Sequence, residues 1–180
     1  MNSWLRHGLI AGVAICILMF GPFLIFGAKP EWMKIGELVG YTSMLLCLSA
    51  TWFAMRRESA LQGGLSFGRA LFVGVGVSAV AGILFGIVTW IFFAAVGDAL
   101  PEALMVFYGD QVRSSGASAE VIARQLQELE LMRPMLHNHP LQGALMAATA
   151  FLIGVAESLL GAWLVSRKPE NFAPNGVSRA

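Results

Sequence analysis

Four long stretches with almost no charge constrain this chain more than any other feature. They run from about Gly8 to Ala28, Ile35 to Met55, Ala70 to Gly97 and Leu141 to Val165. A helix that crosses the hydrocarbon core of a bilayer needs about 20 mostly apolar residues, and each stretch supplies them. Charges stand at their edges: Arg6 and His7, Lys29 and Lys34, Arg56 and Arg57, Arg69, Asp98, Arg167 and Lys168. In hydrocarbon only helices and closed barrels satisfy the backbone, and runs this long are not the alternating ten-residue strands of a barrel. The 180 residues are 57% hydrophobic and 13% charged, against about 45–50% and about 25% in soluble domains. The expected fold is all-α. It is an integral membrane four-helix bundle forming one domain over residues 1–168, with a disordered cytoplasmic tail over 169–180.

The first stretch has the basic start of a signal peptide, but it is longer than the usual h-region of about 7–15 residues. It ends Phe26-Gly27-Ala28, without small residues at both cleavage positions, and is expected to be a retained span. A net charge of +1 gives no reason to expect nucleic acid or an anionic partner. Cys16 and Cys47 lie inside apolar runs, as buried free thiols do, and argue against a disulfide framework.

Basic residues give the orientation. Arg6, Arg56, Arg57, Arg69, Arg167, Lys168 and Arg179 crowd the span ends on one side, while Lys29, Lys34, Arg113, Arg124 and Arg133 fall on the other. Both termini are expected in the cytoplasm and the segment from Asp98 to Pro140 outside. Trp4, Trp32, Trp52, Trp90 and Trp163 lie near span ends, as interfacial tryptophans do.

The outer segment is too long to be structureless in a compact protein. It reads as a short amphipathic helical insertion between the third and fourth spans. The first helix covers about Pro101 to Arg113, with Leu100, Leu104, Phe107, Tyr108 and Val112 on one stripe. The second, about Ala119 to Met132, carries Ile122, Leu126, Leu129 and Met132 at helical spacing, with Ser118 as N-cap. Glu120, Arg124, Glu128 and Arg133 form its polar face, and Pro134 and Pro140 punctuate the return to the membrane. The insertion suits a cap on the bundle or lipid surface, or a docking site for a partner protein.

Small residues let membrane helices approach closely. They recur at Gly8, Gly12 and Cys16; at Gly36, Gly40, Ser43, Cys47, Ala50 and Ala54; at Gly74, Ser78, Gly82 and Gly86; and at Gly143, Ala147, Ala150, Gly154 and Gly161. Spacing near 3.5 favours left-handed crossings, and the fourth-residue spacing of the third span allows a closer right-handed contact.

Glu157 interrupts the last of these faces. Eight residues of helix place it about 12 Å below the cytoplasmic surface, level with Cys16, Cys47 and Ser78. An ionised carboxylate there costs about 2.5–3.5 kcal/mol on insertion scales. Three readings stand: a protonated Glu157 bonded to a backbone carbonyl or Ser78, a polar cavity carrying protons or cations, or a metal held with Cys16 and Cys47. No local ligand spacing supports the metal. His137 and His139 in "HNHP" form a further weak metal candidate, more simply read as a polar lead-in to the last span. No cofactor is expected.

The stretch "GGLSFGRALFVG", Gly63 to Gly74, resembles the signature before the third span in a bacterial membrane-protein family labelled domain of unknown function 4199. The opening "HGLIAG" and the segment "ASAEVIARQLQELELMRPML" are similar to the same family, and the resemblance extends to about Lys168. It implies a bacterial inner-membrane protein with no characterised activity and supplies no catalytic residues. Physically, Ser66, Phe67, Gly68, Arg69 and Ala70 suit the start of a helix: Ser66 can cap it, Phe67 can sit in the interface and Arg69 can reach lipid phosphates. A recognition loop for a cytoplasmic ligand is the sharper alternative. Gly63 and Gly64 lack the strand before and the GK[ST] after that a phosphate loop needs.

The expected partners are the lipid bilayer and a second copy or another membrane protein. The expected role is that of a non-enzymatic accessory or interaction subunit. The alternative is an oligomeric transporter or channel component using Glu157, although no inverted repeat or broken-helix pair is evident in the sequence. A membrane enzyme lacks its constellation.

Overall fold

A computed structural model describes residues 3–27 and 30–167, with backbone alone at 26 and 30–37. The tail expected over 169–180, together with Lys29 and Lys168, lies outside the described residues. Among the described residues there are seven helices and no strand: α1 (Ser3–Phe26), α2 (Pro30–Leu48), α3 (Ala50–Gln62), α4 (Phe67–Val96), α5 (Ala99–Arg113), α6 (Ala119–Leu136) and α7 (His139–Arg167). Four stretches are long and apolar enough to cross a membrane: Ser3–Ile25, Leu38–Gln62, Phe67–Val96 and His139–Arg167. At 1.5 Å per residue α4 alone reaches about 45 Å.

The second stretch corrects the expectation of an unbroken helix. It divides at Ser49 and then continues past Arg56 and Arg57 to Gln62. The Ser49 hydroxyl donates to the Leu46 carbonyl at 2.5 Å, a local bond that competes with the helical ladder. Beyond the break, the Trp52 N–H donates to Ser49 O at 3.0 Å rather than to the Leu48 carbonyl an α-helix would use.

A second correction concerns Pro134. It lies inside α6, which runs on to Leu136, so it does not end that helix. Pro101 and Pro140 sit in the first turns of α5 and α7, where a missing N–H costs nothing.

α4 is the central element. It packs most extensively on α7 and also lies against α1 and α3. Two apolar clusters form around it. One joins Ala11, Ile15, Met44, Leu48, Ala81, Phe85 and Ala150, with Cys16 and Cys47 at its margin. The other joins Ala54, Met55, Leu65, Ala70, Val73, Val77 and Ala162. The α4–α7 seam is backbone against backbone. A Cβ at Gly86 would stand 2.7 Å from Gly143 O, one at Gly143 would stand 2.6 Å from Gly86 O, and one at Gly82 would stand 3.0 Å from Ala147 O. On the α1 side, a Cβ at Gly8 would meet Val77 O at 2.9 Å.

Candidate functional site

Two groups of polar side chains are positioned by this packing, one inside the helices and one at the end where α5 and α6 lie. The inner group starts from hydroxyls that would be costly to bury unpaired. Ser78 donates to Gly74 O at 2.9 Å and Ser158 donates to Gly154 O at 2.6 Å, and their two oxygens stand 3.5 Å apart. Both residues are fully buried. Gly154 and Gly74 make room for them: a Cβ at Gly154 would lie 2.6 Å from Ser78 Cβ, and one at Gly74 would lie 2.8 Å from Ser158 Cβ.

Glu157 sits beside this pair with a different status. Its Oε2 is buried and has no hydrogen-bond partner. Oε2 therefore makes no bond to Ser78 or to a backbone carbonyl; Ser78 donates to Gly74 O and meets α7 at Gly154 and Ser158. A second buried oxygen without a partner is Thr51 Oγ1 on α3. Leu48 packs at the position of Gly154 and Met55 packs at that of Gly161. Leu48 closes α2, so the α3–α7 contact is that of Met55 with Gly161, and Thr51 and Glu157 each lie four residues, about one turn, before it on their helices.

Thr51 was not among the residues singled out from the sequence. The small-residue stripe passes through Cys47 and Ala50, which are half-buried, to the buried Ala54, whereas the large buried side chains are Met44, Leu48, Thr51 and Met55. That four-three-four spacing was available as a signal.

Cys16 and Cys47 pack against the Ile15 cluster. Among the described residues no group of three His, Cys, Asp or Glu side chains could hold a metal ion. His137 and His139 do not converge on one point. His137 turns to the Arg133 carbonyl and to Glu102, while the His139 ring lies 6.4 Å from that of Phe93.

The outer group is ionic. Arg133 of α6 donates to both Glu102 oxygens on α5, at 2.6 and 2.8 Å, and to Glu130 at 2.9 and 3.2 Å. It was expected on the polar face of α6; it faces α5 instead. The hydrogen bond from Arg133 holds the Glu130 carboxyl below its usual range, and both carboxylates push the Arg133 guanidinium up. His137 Nε2 stands 3.2 Å from Glu102 and 3.7 Å from Asp98, and Gln142 Nε2 donates to Met135 O at 3.0 Å. A cavity of about 200 Å³ between α5 and α6 is lined by Glu102, Met105, Gly109, Leu126, Leu129 and Arg133. α6 begins as its sequence suggests, with Ser118 accepting from the Val121 N–H.

At the other end, Gly63 and Gly64 hold φ of 68° and 124°, values that favour glycine, and close α3 into α4. Ser66 occupies the N-cap position with extended backbone (φ −67°, ψ 152°), and its carbonyl accepts from the Ala70 N–H at 2.9 Å. Its side chain makes no cap bond, which corrects that part of the expectation. Phe67, Gly68 and Arg69 are exposed, whereas Leu65 and Ala70 anchor the turn in the second apolar cluster.

Among the described residues these features define an all-helical protein with four helices long and apolar enough to cross a membrane, with glycines along the α4–α7 seam. The chain belongs to the family described as "Protein of unknown function (DUF4199)", whose sequence model matches residues 6–167. No curated protein and no solved structure matches it.

Proposed function

We propose that this protein is a multi-pass protein of the bacterial inner membrane that acts by contact, as a non-enzymatic accessory or interaction subunit. Its four apolar helices form a bundle in the bilayer, both termini lie in the cytoplasm, and the α5–α6 hairpin rests on the outer face. Large apolar side chains such as Phe72, Ile83, Leu152 and Leu160 are exposed around the helices, where lipid would cover them. The observation that carries the reading is α6. It buries no residue, and it presents Val121, Leu131, Met132 and Met135 outward. Apolar side chains displayed this way fit a lipid surface or a partner. Photo-crosslinkers placed at Leu131 and Met132 in native membranes test it. Recurrent capture of one membrane protein, or of a second copy, is the expected result; labelling of lipid alone removes the interaction role.

A second reading is favoured by one observation, the buried and unpartnered Glu157 Oε2. In this reading an oligomer uses Glu157 to carry a proton or cation. Ion flux in liposomes tests it: Glu157→Gln is expected to abolish flux, and equal flux in both proteins excludes it.

A further inference from the structure

We propose that Thr51 and Glu157 form a binding site for a monovalent cation, sodium by its oxygen chemistry, between α3 and α7. The inference deepens the second reading above and rests on it only in assigning a use to Glu157. Two buried oxygens on neighbouring helices, Thr51 Oγ1 and Glu157 Oε2, have no hydrogen-bond partner. Thr51 is 1% exposed, so its hydroxyl has no recourse to solvent. The Met55–Gly161 contact joins α3 to α7, and Thr51 and Glu157 each stand one turn before it on their helices. Orphaned buried oxygens are costly singly, and two so placed call for a shared ligand.

The surroundings specify its charge and hardness. From Leu38 to Met55, Ala70 to Val96 and Leu141 to Ser166 the helices carry no Lys, Arg or Asp, and Glu157 is their only acid. One carboxylate neutralises one positive charge. A divalent ion would leave a net charge in a low-dielectric interior. The oxygens of Ser78 and Ser158 have committed their protons to Gly74 O and Gly154 O, so each turns lone pairs outward. The break at Ser49 lies two residues before Thr51 and diverts the Trp52 N–H from the Leu48 carbonyl. Interrupted helices in membranes supply carbonyl oxygens to small cations in this manner. Carboxylate, hydroxyl and carbonyl oxygens suit a hard ion and not a thiophilic one. The tight packing around Gly154 and Gly161 favours the smaller alkali ion.

The test is binding by the purified full-length protein in detergent, with no partner and no flux. Protein prepared in choline chloride is titrated with sodium chloride at fixed ionic strength while melting temperature and tryptophan emission are followed, since Trp52 adjoins the site. A sodium concentration ten times the dissociation constant is expected to raise the melting temperature by about 3–6 °C. Glu157→Gln and Thr51→Val are each expected to lose that shift. No difference between sodium and choline in the native protein overturns the site without recourse to any variant. A sodium shift that survives both substitutions overturns it as well. Because binding and liposome flux are separate measurements, a sodium-binding protein that carries no ions refutes the transport reading and leaves the site standing.

Discussion

The guanidinium of Arg133 grips both carboxylate oxygens of Glu102, at 2.6 and 2.8 Å, across 31 positions of sequence. Nη1 donates to both oxygens, and this charge-assisted pair ties α6 to α5 beside the cavity that Leu126 and Leu129 share with Met105. Arg133→Met is expected to loosen α6 while leaving the membrane helices intact. Amide hydrogen exchange should rise several-fold over Ala119–Leu136 and stay unchanged in α4.

Glu130 adds a pH dependence to the same junction. Its carboxyl is lowered on folding by the Arg133 hydrogen bond. A group lowered in this way contributes stability above its unfolded value of about 4.3, and that contribution is lost as pH falls through the folded value. The difference in α6 protection between the native protein and Glu130→Gln is therefore expected to be constant at neutral pH and to shrink as pH falls below about 4.3. Glu102 and His137 stand at the same junction in both proteins, so the comparison isolates Glu130.

The α4–α7 seam predicts a contrast between glycines. Gly86→Ala places a methyl 2.7 Å from the Gly143 carbonyl, whereas nothing lies within 4 Å of a Cβ at Gly68. Gly86→Ala is expected to cost about 1–3 kcal/mol. Gly68→Ala should be neutral or stabilising by at most about 1 kcal/mol. Unfolding in mixed detergent measures both.

Thr51 carries a buried hydroxyl without a partner. In sodium-free medium, Thr51→Val removes that hydroxyl at nearly constant volume and is expected to stabilise the protein by about 1 kcal/mol. Thermal unfolding in choline chloride checks the sign.

Ser49 predicts a change in the local hydrogen bonding. Ser49→Ala removes the bond to Leu46 O and restores a strong helix former at the break. The Trp52 N–H should then return to the Leu48 carbonyl, and its amide hydrogen exchange should slow.

Much of this architecture is legible in the sequence because hydrocarbon leaves a helix few choices. The four apolar runs, the glycine faces and the Ser118 cap depend on local composition and period, and the helices follow them. What is not legible depends on competition between nearly equal bonds. Ser49 reads as one more small residue in a stripe, yet its hydroxyl outbids the ladder. Pro134 reads as a breaker, yet α6 passes through it, with Arg133 fixed to Glu102 one residue earlier. Ser66 has the right identity for a cap, but its carbonyl and the buried Leu65 and Ala70 set the turn without its hydroxyl. The placement of Thr51 relative to Glu157 depends on the register between α3 and α7, which no single-segment pattern contains.

The mating of α4 with α7 also sets an order of events during synthesis. When α4 leaves the ribosome, the helix that will cover Gly82 and Gly86 has not been made, and the 42 residues from Gly97 to Asn138 must be translated first. For that interval a row of bare backbone stands unprotected in the insertion machinery or in lipid. A chaperone, or another copy of the nascent chain, would find its easiest foothold there, and a stall within α5 or α6 would prolong the exposure.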